Sequence, residues 1–231
     1  MSSTPTPTPA PTPAPKPPAE ILAPEYYRRY DESDDGGFYT APRLVAHIDD
    51  TAITATTELY REILPPDADV LDLMSSYYSH LPEPRAQFAR RVWALGMNAE
   101  EMRRNPQADE YAVQNLNRNP TLPYAAASFD AVLCAVSVQY LQQPVTVFAE
   151  VSRVLRPGGV FAVTFSNRCF PTKAVAVWTN TTDRQHLELV EAYLAAAGGF
   201  ERITVAQRNE RRGDPLYAVT AYKTGDPQRG A

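Results

Sequence analysis

Along the chain, short apolar runs alternate with stretches in which apolar residues recur every three or four positions. VLDLM (70–74), VWALGM (92–97), SFDAVLCAVS (128–137) and VFAVTFS (160–166) are nearly continuous apolar runs, the pattern of strands covered on both faces of a parallel sheet. YAVQNLN (111–117) predicts a short edge strand. Between these runs the period lengthens to that of a helix. Asp50 is expected to cap TAITATTELYREIL (51–64), which Pro65 and Pro66 stop. NAEEMRRNP (98–106) opens on an asparagine cap, and PEPRAQFARR (82–91) predicts a brief helix. In PVTVFAEVSRVLRPGG (144–159), Val147, Val151, Val154 and Leu155 share one helical face and Gly158 is expected to close the helix. RQHLELVEAYLAAAGGF (184–200) predicts a further helix, with His186 on its surface. RITVAQR (202–208) and LYAVTAYK (216–223) then follow with no helix between them, so they predict an antiparallel hairpin. The expected fold class is α/β, a mostly parallel seven-stranded sheet with helices on both faces and a C-terminal antiparallel hairpin.

Composition narrows this picture. The chain has 231 residues, 44% of them apolar, enough for one substantial core. Residues 1–24 concentrate proline, threonine and alanine and are expected to be a disordered tether. Residues 25–224 are expected to form one domain, with 25–64 as an N-terminal arm of turns, DDGG among them, and a helix; 225–231 are expected to be a disordered C-terminus. The net charge of -5 offers no basic footprint, which excludes nucleic acid as the expected partner. No apolar run approaches the roughly 20 residues needed for a membrane span. Cys134 and Cys169 lack metal or disulfide spacing and are expected to be buried thiols, so no metal is expected. Cytoplasmic localisation is the default expectation, and the oligomeric state is left open.

The block 128–168, SFDAVLCAVSVQYLQQPVTVFAEVSRVLRPGGVFAVTFSNR, resembles the second half of class I S-adenosylmethionine-dependent methyltransferases of the type 11 kind. An S-F-D strand, a helix bearing E-x-x-R-V-L and a P-G-G turn into the fifth strand carry the likeness, which extends over about 67–224. The resemblance implies a Rossmann-like sheet, S-adenosyl-L-methionine as cofactor and a small-molecule methyl acceptor. The arm FYTAPRLVAHIDD (38–50), SSYYSHLP (75–82) and FSNRCFPTKA (165–174) resemble a subgroup of that superfamily. The alternative is a methyltransferase-like fold that has lost the cofactor and binds another ligand or a protein. A nicotinamide-dependent oxidoreductase needs glycines after the first strand and does not account for the terminal hairpin.

Ligands of open parallel sheets sit beyond the carboxyl ends of the strands, so residues there are the candidates. The resemblance implies an acidic residue followed by three alternating glycines after the first strand, where backbone and cofactor come close. This chain offers Asp72, then Met74, Ser76 and Tyr78, with the amides and hydroxyls of Ser75 and Ser76 replacing the glycine turn. The carboxylate that usually ends strand two is missing: Gly96, Met97 and Asn98 stand there, and Glu100 lies too far into the helix. Asn115, Leu116 and Asn117 fall where an adenine would be recognised, and Ala135 ends the fourth strand. Tyr78 and Tyr140 are candidates for substrate contact. Asn167, Arg168 and Lys173, after strand five, are candidates for gripping an anionic substrate. His80 and His47 are the candidate bases. Tyr39 and Arg43 are positioned either to close over the site or to strap the first helix. Glu150 and Arg153 are read as a helix-surface pair.

Overall fold

The computed structural model describes residues 23–209 and 213–225. The tails expected over 1–24 and 225–231 lie almost wholly outside the described residues. The strands are β1 (Ala68–Ser75), β2 (Ala89–Gly96), β3 (Glu110–Val113), β4 (Phe129–Ala135), β5 (Leu155–Phe165), β6 (Phe200–Gln207) and β7 (Tyr217–Lys223). They form one sheet in the order β3-β2-β1-β4-β5-β7-β6; β1 to β5 run parallel, and β7 enters antiparallel between β5 and β6. The sequence order reverses beside β1, so the carboxyl ends of β1, β2 and β4 open onto a shared crevice.

Side-chain alternation explains why the apolar runs are continuous. Val70, Val92, Ala131, Leu133, Val160 and Ala162 face Leu59, Tyr60 and Leu64 of α2 (Asp50–Ile63) and its end. Leu71, Leu73, Val132, Cys134, Phe161 and Val163 face the opposite side, against α4 (Pro144–Val154) and α6 (Asp183–Ala197). Both faces are therefore dry, as expected for parallel strands.

Several boundaries differ from the sequence expectation. Asp49, not Asp50, caps α2: its Oδ1 accepts from the Ala52 amide at 2.9 Å. The segment 82–91 holds only a 3-10 turn, Arg85–Gln87, and its last three residues extend β2. Arg90 and Arg91 are tolerated in a strand because Asp69 and Glu110 pair with them. Residues 114–117 lie outside β3. Helix α4 ends at Val154, and 155–159 form the start of β5, with Gly158 in left-handed backbone at φ 78°. DDGG is not a plain turn: Asp34 caps α1 (Asp35–Phe38). His186 is buried and stacks on Trp178 at 3.9 Å, and Cys169 is exposed. Glu150 and Arg153 do pair, but they also clamp 122–124 through the Leu122 amide and the Leu122 and Tyr124 carbonyls.

The N-terminal arm crosses the crevice and is pinned by buried charge. Lys173, fully buried, reaches Asp31 at 3.0 Å, Asp35 at 3.5 Å and the Ser33 carbonyl at 2.8 Å. Arg29 binds Asp35 at 2.6 Å, and its strand-like bridge to Val175 closes the clamp. Lys173 therefore holds the arm down and does not face the crevice. Lys173→Met should cost about 2–3 kcal/mol, the range for a lost charge-assisted hydrogen-bond set, and should speed amide hydrogen exchange over 28–43. Urea unfolding and exchange mass spectrometry check both outcomes.

Candidate functional site

Beneath the arm lies a cavity of about 300 Å³, at the lower end of the range for small-molecule pockets. Its floor is the carboxyl end of β1. The Asp72 carboxylate, 3% exposed, accepts hydroxyl hydrogens from Ser75 at 2.5 Å and Ser79 at 2.7 Å. Asn105 extends this network by donating to the Ser79 hydroxyl and the Ser76 carbonyl. Asp72 is pushed up to about 6 by burial, and the two hydroxyls oppose that rise.

Every candidate from the sequence lines this cavity except Asn167 and Lys173. Met74, Ser75, Ser76, Tyr78 and His80 contribute the turn after β1. Gly96, Met97 and Asn98 follow β2, and Asn115 and Leu116 follow β3. Ala135 and Tyr140 follow β4, Arg168 follows β5, and Tyr39 and His47 come from the arm. Asn167 is exposed and accepts from its neighbour Ser166. Arg168 is paired with Asp214. Gly96 is demanded by packing, because a Cβ there would sit 2.2 Å from the Ser75 carbonyl. Asn98 is occupied structurally: its Oδ1 caps α3 (Ala99–Arg103), and its Nδ2 donates to the carbonyls of Tyr39 and Thr40. Asn117 is likewise committed, donating to Asp35 and the Tyr140 carbonyl.

Glu101 was missed. It occupies the third position of α3 and is buried at the cavity wall, where its two oxygens accept from the Arg43 amide and the Ser76 hydroxyl, each at 2.6 Å. The clue was available: in a helix capped by Asn98, the third residue points back over the cap, as in a capping box. Glu100, one position earlier, turns outward to Arg103 and Arg104. The chain therefore brings a carboxylate to the mouth of β2 from the following helix instead of from the strand end.

Among the described residues, six other than glycine have left-handed backbone, and Met74, His80 and Val136 of these line the cavity. Each such residue costs roughly 1–3 kcal/mol, most for a β-branched Val. Concentration of strain at one pocket marks it as a shaped site. Burial lowers the His47 pKa and, reinforced by His47, lowers that of His80 to about 4, so both imidazoles are neutral at pH 7. Burial raises the Tyr39 phenol and pushes Tyr140 up to about 12, so both stay protonated. The site thus offers two acidic acceptors, two neutral bases and fixed phenol groups.

Residues 77–163 match the family model described as a methyltransferase domain. No curated protein sequence matches the chain. Among solved structures, the [4+2]-cyclase SpnF aligns at 16% identity and a TM-score of 0.57, over 81% of this chain and 87% of its own. The protein complexed with the Haloferax volcanii methyltransferase activator Trm112 aligns at 12% identity and a TM-score of 0.56, over 76% and 91%. The Haemonchus contortus phosphoethanolamine N-methyltransferase 2, bound to phosphomonomethylethanolamine and S-adenosylhomocysteine, aligns at 13% and 0.52, over 74% and 53%. At these identities the likeness establishes the fold.

Asp72 makes a prediction about pH. Its pKa is raised on folding, so its contribution to stability is complete below about 3.8 and is lost as pH rises through about 6. The stability of the wild type relative to Asp72→Asn should therefore be greater at pH 4.5 than at pH 7.5, by an amount of the order of 2 kcal/mol. Denaturant unfolding of both proteins at the two pH values measures the difference.

Proposed function

We propose that the chain, residues 77–163 of which match a methyltransferase domain, is a methyltransferase of the class I superfamily that binds S-adenosyl-L-methionine in this cavity and methylates a small molecule. The observation that supports this most is the joint placement of Asp72 and Glu101 at the mouths of β1 and β2, on either side of a left-handed turn at Met74. That turn supplies, with a side chain attached, the backbone conformation that glycine ordinarily provides. The residues present fit the cofactor: Glu101 would accept from ribose hydroxyls, Asp72 would balance positive charge, and Asn115 with Leu116 would border the adenine.

When bound, the cofactor supplies a methyl group on a sulfonium, already a good leaving group, so alignment and exclusion of water are the main requirements. The arm excludes water, held across the mouth by the Arg43 amide on Glu101 and by Asn98 on the Tyr39 and Thr40 carbonyls. The neutral imidazole of His47 is the group best suited to take the acceptor's proton, since His80 is the weaker base. Tyr39 and Tyr140 present phenol edges that orient the acceptor.

Met74 also favours a second reading. A side chain where glycine is usual narrows the turn, and a [4+2]-cyclase shares the fold, so methyl transfer does not follow from architecture alone. Calorimetry with S-adenosylhomocysteine separates the two. Binding to the wild type is expected, with affinity at least about tenfold weaker, roughly 1.4 kcal/mol, in Glu101→Leu. No heat and no rise in melting temperature at millimolar ligand would leave the cofactor-free reading.

A further inference from the structure

Among the described residues three arginines line the cavity, and two are already paired: Arg29 with Asp35 at 2.6 Å and Arg168 with Asp214 at 2.8 Å. Arg43 has no carboxylate partner for its guanidinium among the described residues. One hydrogen bond leaves its side chain, from Nη2 to the Phe38 carbonyl at 3.0 Å, and Nη1 is shut from solvent without an acceptor. A guanidinium has five donors in a rigid plane and keeps its charge, so most of its capacity is unused. Its position is nonetheless fixed. The backbone amide is tied to Glu101, and the guanidinium carbon lies 4.7 Å from the Phe38 ring centre and 5.2 Å from that of Phe170.

Charge in the cavity is divided. Asp72 and Glu101 stand by β1 and β2, whereas the Arg43 guanidinium packs on Phe170, which follows β5 and whose amide donates to the Tyr140 hydroxyl at 2.9 Å. A cationic, hydroxyl-rich ligand suits the first side and an anion the second. A planar carboxylate matches the guanidinium fork. A dianionic phosphate would need more than one free cation in a cavity that already holds Asp35, Asp72 and Glu101.

The geometry points to Arg43 as the residue that receives the carboxylate of the methyl acceptor, making the substrate class a small monocarboxylic acid held against Phe170 and Tyr140. This rests on methyl transfer at the same cavity. The other source of a carboxylate is the methionyl portion of the cofactor, and the test distinguishes the two.

Full-length wild type and Arg43→Gln are titrated calorimetrically with benzoate, S-adenosylhomocysteine and 5′-methylthioadenosine, which lacks the amino-acid portion. Benzoate should bind the wild type and lose at least about tenfold in affinity in the variant. The preference for S-adenosylhomocysteine over 5′-methylthioadenosine should stay the same in both proteins. Collapse of that preference would place Arg43 on the cofactor and overturn the acceptor assignment, as would equal benzoate affinity in both proteins or none in the wild type. Methyl benzoate, uncharged, tests the wild type without mutation: it should bind at least about tenfold more weakly than benzoate, and equal binding overturns the inference. Benzoate binding that depends on Arg43, without any nucleoside binding, would sink the methyl-transfer reading and keep the carboxylate site.

Discussion

Asp72 is buried at the end of the central strand with no cation beside it among the described residues, and the arrangement of the crevice follows from how that carboxylate is met. Two hydroxyls, from Ser75 and Ser79, converge on one of its oxygens. To deliver them, the chain must curl back over the strand end, and left-handed backbone at Met74 and His80 is the means. Asn105 then fixes Ser79 and Ser76 from the segment after α3, and Ser76 in turn donates to Glu101. The loop is thus held by a chain of hydrogen bonds running from β1 to α3, each partner buried or half-buried. Such networks are costly when incomplete and rigid when satisfied.

The arm continues the same chain of bonds. Glu101 accepts from the Arg43 backbone, and Asn98 donates to the two carbonyls that precede it by a few residues. At its other end the arm rests on Lys173 and Arg29 through Asp31 and Asp35. Cover and floor are consequently one mechanical unit: loosening the buried lysine would slacken the roof, and removing Glu101 would leave Asn98 as the remaining tie between roof and α3. Several of the bonds that close the cavity are made by backbone groups of the arm, which leaves guanidinium and ring surfaces of Arg43, Tyr39 and His47 available to a ligand.

The strands were legible because burial on both faces imposes continuous apolar runs, and the antiparallel hairpin because β6 and β7 lack an intervening helix. Helix α3 was legible from Asn98. What sequence could not show was position in space. Lys173 reads like a loop cation available to a substrate, yet its burial against Asp31, Asp35 and Ser33 depends on an arm some 140 residues away in sequence. Glu101 is not expected from the end of strand two, because it reaches the crevice from the third position of α3, where the capping position marks it. Arg90 and Arg91 fall in the segment read as a brief helix, and their place in β2 depends on Asp69 and Glu110, which pair with them across the sheet. The block that carries the family likeness is only partly structural: its Asp130 and Arg156 join Asp69 in an ion cluster at the amino end of β1 and β4, whereas its Ala135, Tyr140 and Arg168 line the crevice.

A turn without glycine therefore differs in character and not in geometry. A glycine turn accepts left-handed backbone freely and leaves space beneath a ligand. Met74 takes the same conformation at a cost and adds a flexible thioether that lines the pocket. The surrounding hydrogen bonds must offset that strain, together with the strain at Val136 across the crevice, and the Asp72 network is well placed to do so. A pocket built this way is narrower and less adaptable than one floored by glycines. Its specificity then rests on side chains at the rim, where the guanidinium of Arg43 packs on Phe38 and Phe170 and the carboxylates of Asp72 and Glu101 stand by β1 and β2.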